Sequence, residues 1–301
     1  MNGRTKLTKN QKEKMEKLRG EATLDAAKLR KKYEAVKVFV AIPSGTMVHA
    51  DFAMALAAMA NHTTSVSLRI ALNNTKGAEI AHSRNMQLAQ AEEMGATHIV
   101  FIDSDMVFAP ITIQRMIDVM LDTASGEQEL APVKILGATV PKRRYPYHQV
   151  AKDLEGKRLS IQPNDQRGVI EIGEIGTGLL MIDMSVMKEL AQPYCSPFYR
   201  DGKNGKPDLM DRVSEDLSLI YKLKDLGHKI YCDIPLSVDT KHIGDVQFDN
   251  TSEDFFADAI ELRRQKGQEM LNQFLKDGAE AKAKAEAMAK PNEMKEVKDV
   301  K

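Results

Sequence analysis

Two aspartates, Asp103 and Asp105, are the residues of this sequence best suited to binding a metal ion. They follow residues 97–102, an apolar run typical of a buried strand. Residues two apart in an extended segment project to the same side, so both carboxylates could face one cation. Hard divalent ions such as Mg²⁺ and Mn²⁺ take oxygen ligands and bridge them to substrate phosphates. An acidic turn after a strand remains the alternative.

Three residues further along the chain could complete such a site. His242 follows a strand-like segment at 235–238, and its imidazole could be a further metal ligand, although a lone histidine is more often a packed or surface residue. Glu215 and Asp216 open a predicted helix, where the helix dipole favours acidic residues. In the functional interpretation, one of these two carboxylates is a general base for an acceptor hydroxyl.

Two basic segments could contact phosphate. Arg84 lies with Asn85 in a predicted helix, and its planar guanidinium can donate two parallel hydrogen bonds to a phosphate. From the sequence alone, an ordinary exposed helix arginine is the favoured interpretation. The segment 142–147, which contains Arg144, is a basic loop with interleaved tyrosines. It could hold diphosphate, contact a nucleic acid by charge and stacking, or be a solvated loop.

A glycine pair frames Thr177, with Gly176 on one side and Gly178 on the other. Glycine lets the backbone approach a ligand closely, which would suit a sugar, and it also suits a tight turn. Both interpretations remain open from these residues.

The elements that must position these residues alternate along the chain. Strands are predicted at 36–42, 65–72, 97–102, 135–140, 168–174, 178–182 and 229–232, and helices at 49–60, 77–95, 111–121, 215–226 and 253–275. This alternation predicts an α/β fold with a largely parallel sheet and helices on both faces. Ligands of such sheets bind beyond the carboxyl ends of the strands, where Asp103 falls.

Composition favours a soluble protein of a reducing compartment. The chain has 301 residues, 43 basic and 43 acidic side chains and two cysteines, without a signal-peptide pattern or a long apolar span. These features predict a cytoplasmic location. Residues 1–32 carry eleven Lys or Arg against four Asp or Glu, which defines a basic arm that could bind a polyanion or simply be solvated. We expect a helical arm at 1–35, one domain at 36–250 and a helical, charged tail at 251–301.

Six of these segments stand in the order of a known family. They are residues 38–43, 83–85, 101–105, 176–178, 214–216 and 241–244. Together they resemble the GT-A glycosyltransferases, especially the inverting family two and phage-encoded relatives, over residues 36–249. The resemblance implies a GT-A (Rossmann-like) fold with a mixed, mostly parallel sheet. It also implies a nucleotide-diphosphate sugar as donor, most simply a UDP-sugar, and Mn²⁺ or Mg²⁺.

The resemblance also implies roles for single residues. Asp105 would bind the metal directly, with His242 as a further ligand and Asp103 at the ribose or the metal's water shell. Asp216 would be the catalytic base, with Glu215 beside it. The residues implied to border the donor or acceptor are Pro43, Ser44, Arg84, Arg144, Thr177 and Gly178.

The acceptor remains open in this interpretation. Candidates are a hydroxymethylated pyrimidine in phage DNA, reached in the host cytoplasm, and a glycan. The terminal helices could also support an oligomer.

Two other functions compete with glycosyl transfer. In a haloacid-dehalogenase-type phosphatase, Asp103 would be the nucleophile and Asp105 the acid/base, with Asp245 and Asp249 as a late acidic motif. The nucleophile strand of that superfamily normally comes first, however, whereas two βα units precede Asp103 here. The other alternative is a non-catalytic nucleotide-binding module.

Overall fold

The computed structural model describes residues 25–126, 130–142, 149–162, 164–201 and 206–243, together with four helical residues, Gln265, Gln268, Glu269 and Lys276. The chain divides into two compact units, Met1–Gly244 and Asp245–Lys301. Several predicted features lie outside the described residues: Arg144, Asp245, Asp249, residues 1–24 of the basic arm and most of the helix expected at 253–275. No helix in the described part of the chain is long and apolar enough to cross a membrane.

The strands are β1 Lys37–Ser44, β2 Arg69–Lys76, β3 His98–Ile102, β4 Met106–Val107, β5 Ile135–Gly137, β6 Val169–Ile172, β7 Leu179–Asp183, β8 Phe198–Asp201, β9 Pro207–Val213, β10 Ile230–Asp233 and β11 Lys241–His242. The helices are α1 at residues 25–32, α2 Ala50–Ser65, α3 Ile80–Glu93, α4 Thr112–Ser125, α5 Met184–Met187, α6 Glu215–Asp225 and α7 Ile234–Asp239.

Within the described residues, seven strands form one sheet in the order β2-β1-β3-β7-β5-β10-β6. Five of these strands run in one direction, and β7 and β6 run against them. The carboxyl ends of β1 and β3 therefore meet at one edge. Two short antiparallel pairs, β4 with β11 and β8 with β9, lie outside this sheet.

Alternate residues of the central strands face opposite cores. Val38 and Val40 of β1 join one apolar cluster with side chains of α2 and α4, whereas Phe39 and Ala41 join a second cluster with side chains of α3 and α6. Because successive strand residues point to opposite faces, a strand covered by helices on both sides must be apolar at every position. The predicted fold class, a mixed and mostly parallel sheet with helices on both faces, is confirmed.

The structure corrects two predicted elements. Residues 235–238 are not strand-like but belong to α7, whose first turn is capped by Asp233, with its carboxylate accepting from the backbone N–H of Leu236. A short apolar run does not distinguish a strand from a buried helical turn. The second strand starts at Arg69 rather than at residue 65, because α2 continues to Ser65 and Ser67 then turns the chain with a positive φ of 62°.

Candidate active site

The pair Asp103 and Asp105 lies in a tight turn rather than in an extended segment. The N–H of Met106 donates to the carbonyl of Asp103 at 3.1 Å, which closes the turn directly after β3. The N–H of Asp103 donates to the carbonyl of Gly178 at 2.9 Å, so the turn is fixed against the start of β7. The premise that both carboxylates share one strand face is therefore wrong, although both border the same cleft.

The short pair β4–β11 brings His242 beside Asp105. His242 pairs with Met106 across the two strands, and the N–H of Ile243 donates to the carbonyl of Asp105 at 2.8 Å. His242 Nε2 lies 3.4 Å from Asp105 Oδ2. Two residues that are 137 positions apart in sequence are thus held side by side by backbone pairing, independently of their side chains.

The other nitrogen of the His242 ring determines what Nε2 can do. Nδ1 lies 3.1 Å from the carbonyl oxygen of Pro141. Because a carbonyl can only accept, Nδ1 carries the hydrogen, and in the neutral ring Nε2 then presents a lone pair. A backbone carbonyl on the second nitrogen is the usual way in which proteins orient a metal-binding histidine.

The pair Asp105 and His242 fits a shared cation. An imidazole lone pair and a carboxylate oxygen repel at 3.4 Å unless a proton or a cation lies between them. Two ligand atoms at this separation, each about 2.2 Å from one ion, subtend roughly 100° at that ion, which is within the range of ordinary coordination geometry. Among the described residues, no group of three or more His, Cys, Asp or Glu side chains is arranged to hold a metal. Among the described residues, Asp105 and His242 are thus the two candidate ligands, and substrate phosphate oxygens could supply others.

Arg84 is buried between two carboxylates. Its side chain is 2% exposed, and Nη2 donates to Asp103 Oδ1 at 2.8 Å while Nη1 donates to Glu215 Oε1 at 2.5 Å. Burial acts to lower the pKa of Arg84, but Asp103, Asp216 and Glu215 outweigh it and raise that pKa. The guanidinium that was predicted to lie near a base or diphosphate is held in an internal ion pair instead.

Asp216 and Glu215 differ in what they face, although both stand in the first turn of α6. Glu215 points to Arg84 and is 13% exposed. Asp216 Oδ1 accepts from the hydroxyl of Ser214 and from the N–H of Leu217, the latter at 2.8 Å. Its second oxygen, Oδ2, lies 3.4 Å from where a Cβ on Gly176 would stand. Asp216 therefore lines a cavity, whereas Glu215 is engaged in the ion pair.

The segment Gly176–Gly178 separates Asp216 from Asp103. A Cβ on Gly178 would lie 3.4 Å from Asp103 Oδ2, so the two glycines leave space beside both carboxylates. Thr177 between them is 1% exposed, and its hydroxyl has no hydrogen-bond partner among the described residues. A buried hydroxyl without a partner is costly unless water or a ligand satisfies it.

Two cavities meet at Asp103. One is a cleft of about 220 Å³ lined by Pro43, Ser44, Gly45, Gly77, Ile80, Ser83, Asp103, Ser104 and Asp105. The other, of about 90 Å³, is lined by Asp103, Met106, Ala138, Thr139, Val140, Val150, Gly176, Thr177, Gly178, Asp216 and His242. The structure thus brings together all the predicted site residues that it describes, except that Arg84 and Glu215 lie behind the cavities.

Acidic side chains outnumber basic ones among the described residues of the site. The carboxylates of Asp103, Asp105, Glu215 and Asp216 lie around the guanidinium of Arg84 there. Burial raises the pKa of Asp103 above its ordinary value, and Asp105 and Asp216 act in the same direction, although Arg84 opposes them. A divalent cation would relieve this repulsion.

Sequence reasoning missed the groups that orient the site. The Pro141 carbonyl that fixes the His242 ring carries no sequence signal, because any residue supplies a carbonyl. The β8–β9 hairpin, which leads directly into Ser214 and α6, was not predicted because its strands are exposed and lack a regular apolar alternation.

Comparison with known proteins gave similarities at the level of solved structures only. No protein-family model and no curated protein matches this chain. A STIV protein is 14% identical with a TM-score of 0.42, covering 65% of this chain and 81% of its own. A mutant of Drosophila β-1,4-galactosyltransferase 7 with manganese, UDP-Gal and xylobiose is 11% identical with a TM-score of 0.39, covering 72% and 78%. TarS 1–349 of S. aureus with UDP-GlcNAc is 11% identical with a TM-score of 0.39, covering 72% and 60%. All three TM-scores are below 0.5, so these similarities do not indicate a function for this chain.

Proposed function

We propose that this protein is a metal-dependent glycosyltransferase that moves a sugar from a nucleoside-diphosphate sugar to an acceptor hydroxyl. One observation carries the proposal. Asp105 Oδ2 and His242 Nε2 lie 3.4 Å apart, next to the cavity that Asp216 lines. A two-ligand metal position beside a carboxylate base provides the two groups that this reaction needs: one for the departing diphosphate and one for the incoming hydroxyl.

Asp105 and His242 would hold Mn²⁺ or Mg²⁺. Such ions commonly keep only one or two protein carboxylates and take their remaining ligands from substrate phosphates and water, which agrees with the two candidate ligands among the described residues. The ion, when bound, neutralises charge that builds on the diphosphate as it leaves. Asp105 and His242 orient that position through the backbone pairing of β4 with β11.

The donor would lie across the two cavities. Pro43 and Ser44, at the end of β1, line the larger cleft, which suits the nucleoside, and a UDP-sugar is the donor we propose. The sugar would lie in the smaller cavity against Thr177 and Gly178, where the Thr177 hydroxyl is available to a sugar hydroxyl. Glycine at position 178 keeps this approach open.

Asp216 would act as the general base. Oδ1 is fixed by Ser214 and Leu217, which leaves Oδ2 directed at the cavity. The acceptor hydroxyl gives its proton to Oδ2 as its oxygen bonds to the anomeric carbon, and the bond from that carbon to the diphosphate oxygen breaks with its electron pair. Attack opposite the leaving group inverts the anomeric configuration.

The phosphatase alternative requires a nucleophilic Asp103, and the structure disfavours it. Asp103 Oδ1 is bound to Arg84, and the aspartate follows β3, which lies between β1 and β7, rather than the first strand of the domain. The acceptor remains a choice between a hydroxymethylated pyrimidine in DNA and a glycan. The basic arm and Arg144, which would bear on that choice, lie largely or wholly outside the described residues.

Calorimetry on the purified protein tests the metal position. If diphosphate oxygens complete the coordination of an ion held by Asp105 and His242, UDP should bind measurably only with Mn²⁺ present, and Mn²⁺ should bind tightly only with UDP present. Asp105→Ala should remove this mutual dependence, while the exposed variant Asp225→Ala keeps it. Equal UDP affinity for the wild type and Asp105→Ala in Mn²⁺ would refute the metal assignment.

A further inference from the structure

We propose that Arg84 is a positioning residue that fixes the start of α6, and with it Asp216, to the carboxyl end of β3. In this proposal Arg84 touches neither the donor nor the acceptor. The inference rests on the proposed function, since Asp216 is the base that becomes misplaced when the link is broken.

The geometry of Arg84 is that of a two-sided clamp. Nη2 holds Asp103, directly after β3, and Nη1 holds Glu215, the first residue of α6, so one planar group joins elements that are far apart in sequence. A guanidinium presents its donors in a rigid fork, which fixes angle as well as distance. Asp216 is the next residue after Glu215 and cannot move independently of it.

Burial separates this role from donor binding. Arg84 is 2% exposed, and it does not line either of the two cavities described above. Both Nη1 and Nη2 are already bound to carboxylates. The third nitrogen, Nε, is buried and has no hydrogen-bond partner among the described residues. A diphosphate that displaced Asp103 or Glu215 from the guanidinium would leave a carboxylate unpaired at considerable cost.

The neighbouring residue of α3 makes a second link of the same kind. The Asn85 side chain donates to the carbonyl of Cys195 at 2.7 Å and accepts from the N–H of Cys195 at 2.9 Å. Cys195 lies shortly before the β8–β9 hairpin, which runs into α6. One turn of α3 therefore ties down both the start of α6 and the segment that leads to the hairpin before it.

The Arg84→Lys variant tests the proposal because it keeps the charge but loses the fork. A single ammonium cannot hold two carboxylates at fixed angles. We expect kcat to fall about tenfold to a hundredfold, the scale of loss for a displacement of about 1 Å at a reacting group. The donor KM should stay within about threefold of the wild type. A donor KM raised more than about tenfold with kcat unchanged would instead show a direct donor contact and overturn the proposal.

Arg115→Lys is the matched control. Arg115 also holds a buried carboxylate with two hydrogen bonds, to Asp233 at 2.7 and 3.1 Å, but lines neither cavity. The Arg115→Lys substitution should lower the melting temperature without changing kcat of the folded enzyme. If Arg84→Lys does not fold, Glu215→Ala breaks the same link while leaving Arg84 with Asp103, and the same loss of kcat is expected.

A double variant and hydrogen exchange complete the test. If Arg84 acts through Glu215, kcat of the double variant Arg84→Lys/Glu215→Ala should be no more than about threefold lower than kcat of the worse single variant. A kcat loss equal to the product of the two single losses would contradict the proposal. Arg84→Lys should also speed amide exchange in the first turn of α6, whereas Arg115→Lys should not. Unchanged exchange in α6 overturns the positioning role whatever the assays give. If the wild type transfers no sugar but Arg84→Lys still speeds amide exchange in α6, the proposed function is overturned and the positioning role of Arg84 stands.

Discussion

Replacing Asp216 by asparagine removes one acceptor while preserving the shape of the site. The asparagine amide oxygen can still accept from Ser214 and from the N–H of Leu217, so the first turn of α6 keeps its hydrogen bonds. The group that changes is Oδ2, which faces the cavity beside Gly176 and becomes an NH₂ that cannot take a proton. We expect kcat to fall about 10² to 10⁴-fold, or about 2.7 to 5.4 kcal/mol in the barrier.

The stability of the same variant should change little. Asparagine caps helices about as well as aspartate, so the free energy of unfolding should change by less than about 1 kcal/mol. The assay is steady-state kcat with donor and acceptor saturating, measured together with the melting temperature. Asp211→Asn is the matched control. Asp211 is a half-exposed residue of β9 that pairs with Arg200, so kcat of this variant should stay within about twofold.

Glu215→Gln distinguishes the two adjacent carboxylates. Its amide oxygen can still accept from Arg84, and the side chain does not line the cavity, so we expect a loss in kcat of less than about tenfold. If Asp216→Asn turns over nearly normally while Glu215→Gln is inactive, the assignment of the base is wrong. Near-normal turnover of both variants would point to a retaining mechanism without an enzymic base.

Three further predictions concern other parts of the molecule. Burial raises the pKa of Cys195 to about 12 and that of Cys232 to about 11. Iodoacetamide at pH 8 should therefore label neither thiol in the native protein and both thiols in urea, as measured by mass spectrometry. Labelling of the native protein would contradict this burial. Thr177→Val removes the buried hydroxyl that we propose binds the sugar, so the donor KM should rise about tenfold with little change in melting temperature. An unchanged KM would exclude the contact. Tyr33→Phe removes the 2.7 Å hydrogen bond to Asp118. In urea titrations the free energy of unfolding should fall by about 1 to 2 kcal/mol, and kcat should not change. An unchanged free energy of unfolding would show that the bond contributes nothing to stability.

The mostly parallel sheet and the position of Asp103 beyond a strand end could be predicted from the sequence. The apolar runs that became β1 and β3 are continuous because both faces of the sheet are covered, and this made their ends easy to recognise. Asp103 follows the second of these runs, so its position beyond a strand end could be predicted without knowing its partners.

The internal position of Arg84 could not be predicted in this way. Nothing in the local sequence distinguishes a buried helix arginine from an exposed one, because the residue that decides it, Glu215, lies 131 positions away. The same holds for the pair of His242 with Asp105, since β4 and β11 are two residues long and leave no periodic signal. Contacts between distant segments such as these become visible only in the folded structure.

A panel of nucleotide sugars tests the central claim most directly. Purified protein is incubated with each donor and Mn²⁺, and release of nucleoside diphosphate is measured with and without chelator. We predict release from at least one donor, most simply a UDP-sugar, that is lost with chelator and in Asp105→Ala but kept in Asp225→Ala. Metal-dependent hydrolysis of simple phosphomonoesters, with no release from any nucleotide sugar, would contradict the claim and favour a phosphatase.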